Sequence, residues 1–148
     1  MNISHNPVKK AVALAISTSS EPGMVLMVQR PNEPGEELPG MWGLPAASIR
    51  AGETCAEAAV RAGRDKLGVE LDLQDALAFG QQERDSYVLT MTVYRANLDV
   101  GETGLKLGST HDGTTQYTSW RWASPEALQP AADLGSLCSK LYLRWLKA

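Results

Sequence analysis

Cysteine is scarce in this chain. Cys55 and Cys138 are the two among 148 residues, far apart and in no C-x-x-C pair. That spacing argues against a structural zinc site, and two thiols in a chain of this size suit a reducing compartment. No apolar run approaches ~18 residues, so no membrane-spanning segment is expected. Met1 to Lys10 is polar and lacks the apolar centre of a signal peptide, which makes the cytoplasm the expected location. Positive charge is not in excess either: 14 Lys and Arg stand against 17 Asp and Glu, a net charge of −3. Broad binding to nucleic acid or an anionic membrane needs a clustered positive field, and none is indicated. One nucleotide held by a few local Lys and Arg side chains remains open. Internal repeats and linkers are also missing, so residues 1–148 are expected to form a single domain.

What the chain does contain is ordinary for a globular protein, with 43% hydrophobic and 21% charged residues. Its length suffices to bury about two-thirds of the unfolded surface. Ala11 to Ser17 alternates around Val12, Leu14 and Ile16 and reads as a strand. Turn chemistry over Ser19 to Gly23 leads to a short apolar strand, Met24 to Gln29, placed to close a hairpin. Pro31 to Gly40 is rich in proline and glycine and reads as a surface loop, anchored by a strand-like Met41 to Pro45. Thr54 to Leu67 is the clearest helix: Ala56, Ala59, Val60, Gly63 and Leu67 fall on one stripe, and Gly68 supplies a stop. Tyr87 to Leu98 and Tyr117 to Ala123 read as strands, with a mobile glycine-containing loop over Asp99 to Gln116. Ser124-Pro125-Glu126 opens a helix, and Ser136 to Lys147 forms a closing one with Leu137, Cys138, Leu141 and Trp145 on one face. Trp42, Trp120, Trp122 and Trp145 are expected mainly in the core, with one available to stack on a base, and Cys55 as a packed small hydrophobe.

The segment from Ala46 to Val69 carries the chemistry. Leu44-Pro45-Ala46-Ala47 is followed by Gly52-Glu53-Thr54, Ala58-Ala59, Arg61 and Gly68-Val69. At these spacings it resembles the Nudix box, G-x5-E-x7-R-E-U-x-E-E-x-G-U, in which U is a bulky aliphatic residue. Arg30 and Gly40 to Pro45 resemble the family's approach to the box, and Trp120-Arg121-Trp122 with Ser124 to Leu128 its last strand and helix. The resemblance thus spans nearly the whole chain. It implies a Nudix-like α/β/α sandwich, a mixed sheet between helices, and a nucleotide or nucleotide-sugar as ligand, with a homodimer as the common assembly.

The departures bear on the activity. The family's R-E-U-x-E-E reads Arg61-Ala62-Gly63-Arg64-Asp65-Lys66 here. Positions 62, 65 and 66 share one helix face, which in the family carries three carboxylates holding Mg²⁺ or Mn²⁺. This chain keeps one, Asp65, and its degenerate box implies weak binding of either metal, with Asp65 and Glu53 as ligands. Ala47 replaces the box's first glycine, and alanine resists positive φ, so the loop is expected to differ in shape. The resemblance assigns catalytic roles to Glu53, Arg61, Asp65 and the loop residue His111, and substrate contacts to Arg30, Lys66 and Asp112. Plainer readings stand beside these. Arg61 can buttress the loop by pairing with Glu53, Asp65 can be its i, i+4 partner on a solvated face, and Lys66 can be one more surface lysine. Two functions follow: a hydrolase of a nucleoside diphosphate derivative with impaired or altered metal use, or a catalytically inactive Nudix-like nucleotide-binding module. Arg61 and Asp65 are expected to face the cleft. In either, Lys66 lies where a diphosphate would sit.

Overall fold

A computed structural model describes residues 6–33, 38–98, 104–108 and 116–148. Its centre is strand β1 (Val8–Ser17), whose alternation buries both faces. Val12, Leu14 and Ile16 join Ala58, Ala59, Ala62 and Leu67 of helix α1 (Cys55–Leu67) in one apolar cluster. Ala13 and Ala15 face the other way, toward Leu137, Cys138, Leu141 and Tyr142 of the C-terminal helix (Leu137–Lys147). A strand buried on both sides belongs inside a sheet, and β1 is inside one. It pairs antiparallel with β4 (Ala46–Ser48) and parallel with β6 (Val88–Asn97), and β5 (Asp72–Glu83) completes the order β4-β1-β6-β5. The expected mixed sheet between helices is present, with the larger side chains of β1 on the α1 side.

Strand β2 (Val25–Gln29) does not form a hairpin ladder with β1. It pairs antiparallel with β3 (Trp42–Gly43) and β7 (Ser119–Ala123) in a second, three-stranded sheet. Val25 to Val28 are all buried, so the strand needs cover on both faces, which the edge of a two-stranded hairpin would not provide. The strand-like Met41 to Pro45 shrinks to the two residues of β3. Leu44 and Pro45 are buried beyond it, and the Pro45 carbonyl accepts from Leu14 N–H at 2.8 Å. Ala47 lies within β4, buried against β1 in extended backbone where alanine is at no disadvantage.

Strand β5 was absent from the pattern read in the sequence. Asp72-Leu-Gln-Asp-Ala-Leu-Ala-Phe is largely exposed on the sheet edge, and two register shifts between Leu73 and Ala78 blur its alternation. The C-terminal part begins as a 3-10 turn, Pro125–Leu128, running into helix α2 (Gln129–Asp133). Ser124 makes no side-chain capping bond there. Ser136 does cap the last helix, α3 (Leu137–Lys147), by accepting from Ser139 N–H. Trp42, Trp120, Trp122 and Trp145 pack half-buried against the two clusters. Among the described residues no helix is long and apolar enough to cross a membrane.

Helix α1 has both ends specified. Thr54 Oγ1 accepts from Glu57 N–H at 3.1 Å while Glu57 Oε1 accepts from Thr54 N–H at 2.8 Å, a reciprocal cap. At the other end Gly68 takes the left-handed φ of 67° that a side chain would disfavour. The buried stripe is Ala58, Ala59, Ala62, Gly63, Lys66 and Leu67. This is rotated from the expected stripe: Ala56 is exposed and Val60 only half-buried. The alanines and Gly63 let the helix approach closely, and a Cβ on Gly63 would come within 2.8 Å of Leu71. Of the expected mobile loop, residues 99–103 and 109–115 lie outside the described residues. Residues 104–108 are docked on the end of α1, with Lys106 N–H on the Leu67 carbonyl and Gly108 N–H on that of Lys66.

Candidate functional site

The turn between β4 and α1 is held by Glu53. Its Oε2 accepts from Arg61 Nε at 2.7 Å, and its Oε1 accepts from Arg61 Nη2 at 3.0 Å and from Arg50 N–H at 2.9 Å. Arg61 Nη2 also donates to the Ser48 carbonyl at 2.7 Å, so one guanidinium ties the end of β4, the turn and the helix together. The Arg61 hydrogen bonds, helped by the Arg50 amide, outweigh desolvation and hold the Glu53 carboxyl down at about 2. Both Glu53 oxygens are engaged. Asp65 is half-exposed, with a carboxylate oxygen 4.0 Å from Arg61 Nη1. Glu53 and Arg61 line a broad outer groove with Arg50 and Arg64, and Asp65 lies at its side as the i, i+4 partner of Arg61.

Lys66 is elsewhere. Only 6% of it is exposed, so it is not a solvated surface lysine. Its stem runs along the buried stripe of α1, and its Nζ donates to the Ala46 carbonyl at 2.7 Å. The ammonium also lies 5.0 Å from the centre of the Tyr117 ring, within cation–π range. Tyr117 is buried and hydrogen-bonds the backbone of the same residue twice. Its hydroxyl accepts from Ala46 N–H at 2.9 Å and donates to the Ala46 carbonyl at 3.1 Å. Burial pushes the Tyr117 hydroxyl up to about 12, so it remains a donor at neutral pH. The Ala46 oxygen therefore receives two donors, Lys66 and Tyr117, which is the number its lone pairs accept.

Lys66, Tyr117 and Ala46 form one wall of a cavity of about 430 Å³. Lys9 and Lys10 from β1, Arg30 beyond β2 and Arg84 beyond β5 bring further positive charge to its lining. Lys9 Nζ sits 4.3 Å above the ring of Tyr87, also in the lining. Among the described residues that line this cavity there are five cationic side chains and no carboxylate. Such a concentration of one sign favours a multiply charged anion.

The expected site residues therefore divide between two places. Glu53, Arg61 and Asp65 are together on the outer side of α1, while Arg30 and Lys66 are together in the cavity. His111 and Asp112 lie outside the described residues. Sequence reasoning missed Lys9, Lys10, Arg84 and Tyr117. Lys9-Lys10 directly before an apolar strand was a usable signal, whereas Arg84 and Tyr117 reach the cavity through pairings between distant strands. Two of the three helix positions expected to hold a metal cannot supply an oxygen: Ala62 is 1% exposed and Lys66 is a cation. Among the described residues no three His, Cys, Asp or Glu side chains are grouped so as to hold a metal ion.

The fold has solved counterparts. A MutT protein from Methanosarcina mazei Go1 superposes with a TM-score of 0.72 at 16% identity, covering 98% of this chain and 97% of that one. A C. elegans Ap4A hydrolase, solved as a binary complex, gives 0.66 at 19% identity over 94% and 95% of the two chains. The NUDIX domain of Shewanella oneidensis NrtR, complexed with ADP ribose, gives 0.61 at 18% identity over 89% and 77%. At these identities the likeness is one of fold. No curated protein sequence matches the chain. The match that covers the box, both sheets and the closing helix together is to the NUDIX domain, over residues 8–146, and the chain belongs to the Nudix family.

Proposed function

We propose that this Nudix domain binds a nucleoside diphosphate linked to a second group, with the diphosphate in the cationic cavity, and that metal-dependent hydrolysis is lost or strongly impaired. The observation that carries this reading is the cavity lining: Lys9, Lys10, Arg30, Lys66 and Arg84, with no carboxylate among the described residues. Nudix hydrolases generally use Mg²⁺ or Mn²⁺, hard cations that need several oxygen ligands. The residues present do not fit such an ion. Ala62 offers no donor, Lys66 repels a cation, the Ala46 carbonyl is doubly hydrogen-bonded, and both Glu53 oxygens are taken by Arg61 and Arg50. Asp65 alone is a poor site for a cation that gives up its water reluctantly.

A second reading is slow metal-independent hydrolysis with His111 as base; His111 lies outside the described residues, and this reading is supported by the resemblance to family members that draw a base from a loop histidine. A nucleotide ligand and the free thiols of Cys55 and Cys138 also agree with a cytoplasmic setting.

The test is a panel of ADP, ADP-ribose, a diadenosine polyphosphate and a UDP-sugar, titrated with Mg²⁺, with Mn²⁺ and with EDTA, following heat and phosphate release together. Saturable binding in EDTA with no release is the expected outcome, and release that EDTA leaves unchanged supports the second reading. Turnover that appears only with metal would overturn the proposal.

A further inference from the structure

The fate of the metal position points to one specific residue. Lys66 is the sole charged residue on the buried stripe of α1, which otherwise consists of Ala58, Ala59, Ala62, Gly63 and Leu67. Burying an ammonium is costly without compensation. Here the compensation is built in: the Ala46 carbonyl at 2.7 Å and the face of Tyr117 at 5.0 Å. Tyr117 in turn grips both backbone polar groups of Ala46, so the acceptor that receives the ammonium is itself fixed. The result is a positive charge of defined position on the wall of the cavity, held by three separate elements of the fold: α1, β4 and the segment leading into β7.

We infer that Lys66 is a resident cation that supplies part of the charge compensation a divalent ion would otherwise give the bound diphosphate. This rests on the cavity being the diphosphate site, as proposed above. An ammonium supplies charge compensation and charge-assisted hydrogen bonding to phosphate oxygens. It has half the charge of Mg²⁺ and does not generate hydroxide from a bound water, so it supports binding better than hydrolysis. Charge also acts through space, so the contribution does not depend on any particular N–H being unengaged. Added metal has nothing to contribute. Mg²⁺ would have to displace Lys66 from the Ala46 carbonyl and would weaken binding by sequestering the ligand in solution.

The experiment uses inorganic pyrophosphate as probe, titrated calorimetrically into the full chain in EDTA and in excess Mg²⁺. The proteins are wild type, Lys66→Met, Lys66→Arg and a control, Lys147→Met, which makes the same change in net charge at the exposed end of α3. Met keeps the unbranched apolar stem of lysine as far as Cε, so the buried stripe keeps its packing, and thermal unfolding reports on that directly. The expected result is metal-free binding by wild type and by Lys147→Met, at least tenfold weaker binding by Lys66→Met, and recovery of most of the affinity in Lys66→Arg. If Lys66→Met does not fold, the metal dependence of wild type and the affinity of Lys66→Arg decide. Wild-type binding that requires Mg²⁺ overturns the role of Lys66 and leaves the cavity proposal standing. Unchanged affinity in a folded Lys66→Met does the same. Absence of binding by wild type under both conditions, with pyrophosphate and with the nucleotide panel, overturns both.

Discussion

Replacing Arg61 by alanine should lower the stability of the domain by roughly 2–3 kcal/mol while leaving metal-free nucleotide binding within about twofold. Arg61 makes two hydrogen bonds to Glu53 and one to the Ser48 carbonyl, the longest of them 3.0 Å. The Glu53 side chain is 15% exposed, so the pair is shielded from solvent without being fully desolvated. That places it above the range of a surface ion pair, and below the upper range of a deeply buried one. In a domain of this length, such a loss corresponds to a fall in Tm of about 5–10 °C. Binding should persist because the clamp lies in the outer groove and not in the cationic cavity.

The same pair sets a pH dependence whose sign can be worked out. The folded state holds the Glu53 carboxyl near 2, below its ordinary value of 4.5. A lowered carboxyl gives stability that is fully present above about 4.5 and is lost as the pH falls toward 2. Urea unfolding measured from pH 7 to pH 2 should therefore show a steeper acid limb for wild type than for Arg61→Ala or Glu53→Gln. Equal slopes in all three would mean that the clamp does not hold the charge. Loss of nucleotide binding in a stable Glu53→Gln variant would place Glu53 in the ligand site after all.

The second large effect is at the centre of the fold. Leu14→Ala should destabilise by about 3–4 kcal/mol, as for large-to-small changes at sites that cannot collapse. Leu14 is fully buried, and its backbone is fixed between β6 and the Pro45 carbonyl. The facing residues of α1 are alanines, which have no side-chain length with which to fill the space. Equilibrium urea unfolding reads this directly. A loss below about 1 kcal/mol would mean that α1 slides inward to close the gap, and the Lys66–Ala46 contact should then be disturbed as well.

The parts of the fold that were legible in the sequence are those whose signals are local. The alternation of Val12, Leu14 and Ile16, the Thr54 start and Gly68 stop of α1, and the closing Ser136 to Lys147 helix each depend on neighbours within a turn or a strand. Strand β5 was not legible because an exposed edge needs few apolar residues and its register shifts spoil the period of two. The pairing of β2 with β7 across nearly a hundred residues was hidden for a different reason: strand partners are chosen by tertiary burial, which no local pattern records. In the site, the Glu53–Arg61 pair was legible through the resemblance to the Nudix box. The burial of Lys66 was not, because its warrant is a carbonyl twenty residues away and a tyrosine on the far side of the chain. A lysine on an otherwise apolar stripe is the trace such an arrangement leaves in a sequence, visible only once the stripe is placed at Ala58, Ala59, Ala62 and Gly63.

The most direct measurement is a crystal structure of the protein grown with ADP and excess Mn²⁺, with anomalous scattering recorded to locate manganese. Diphosphate density in the cavity beside Lys66, with the Lys66–Ala46 hydrogen bond intact and no anomalous peak on the Ala46 carbonyl, is the predicted result. A manganese peak shared by that carbonyl and the diphosphate, with Lys66 displaced, would contradict it.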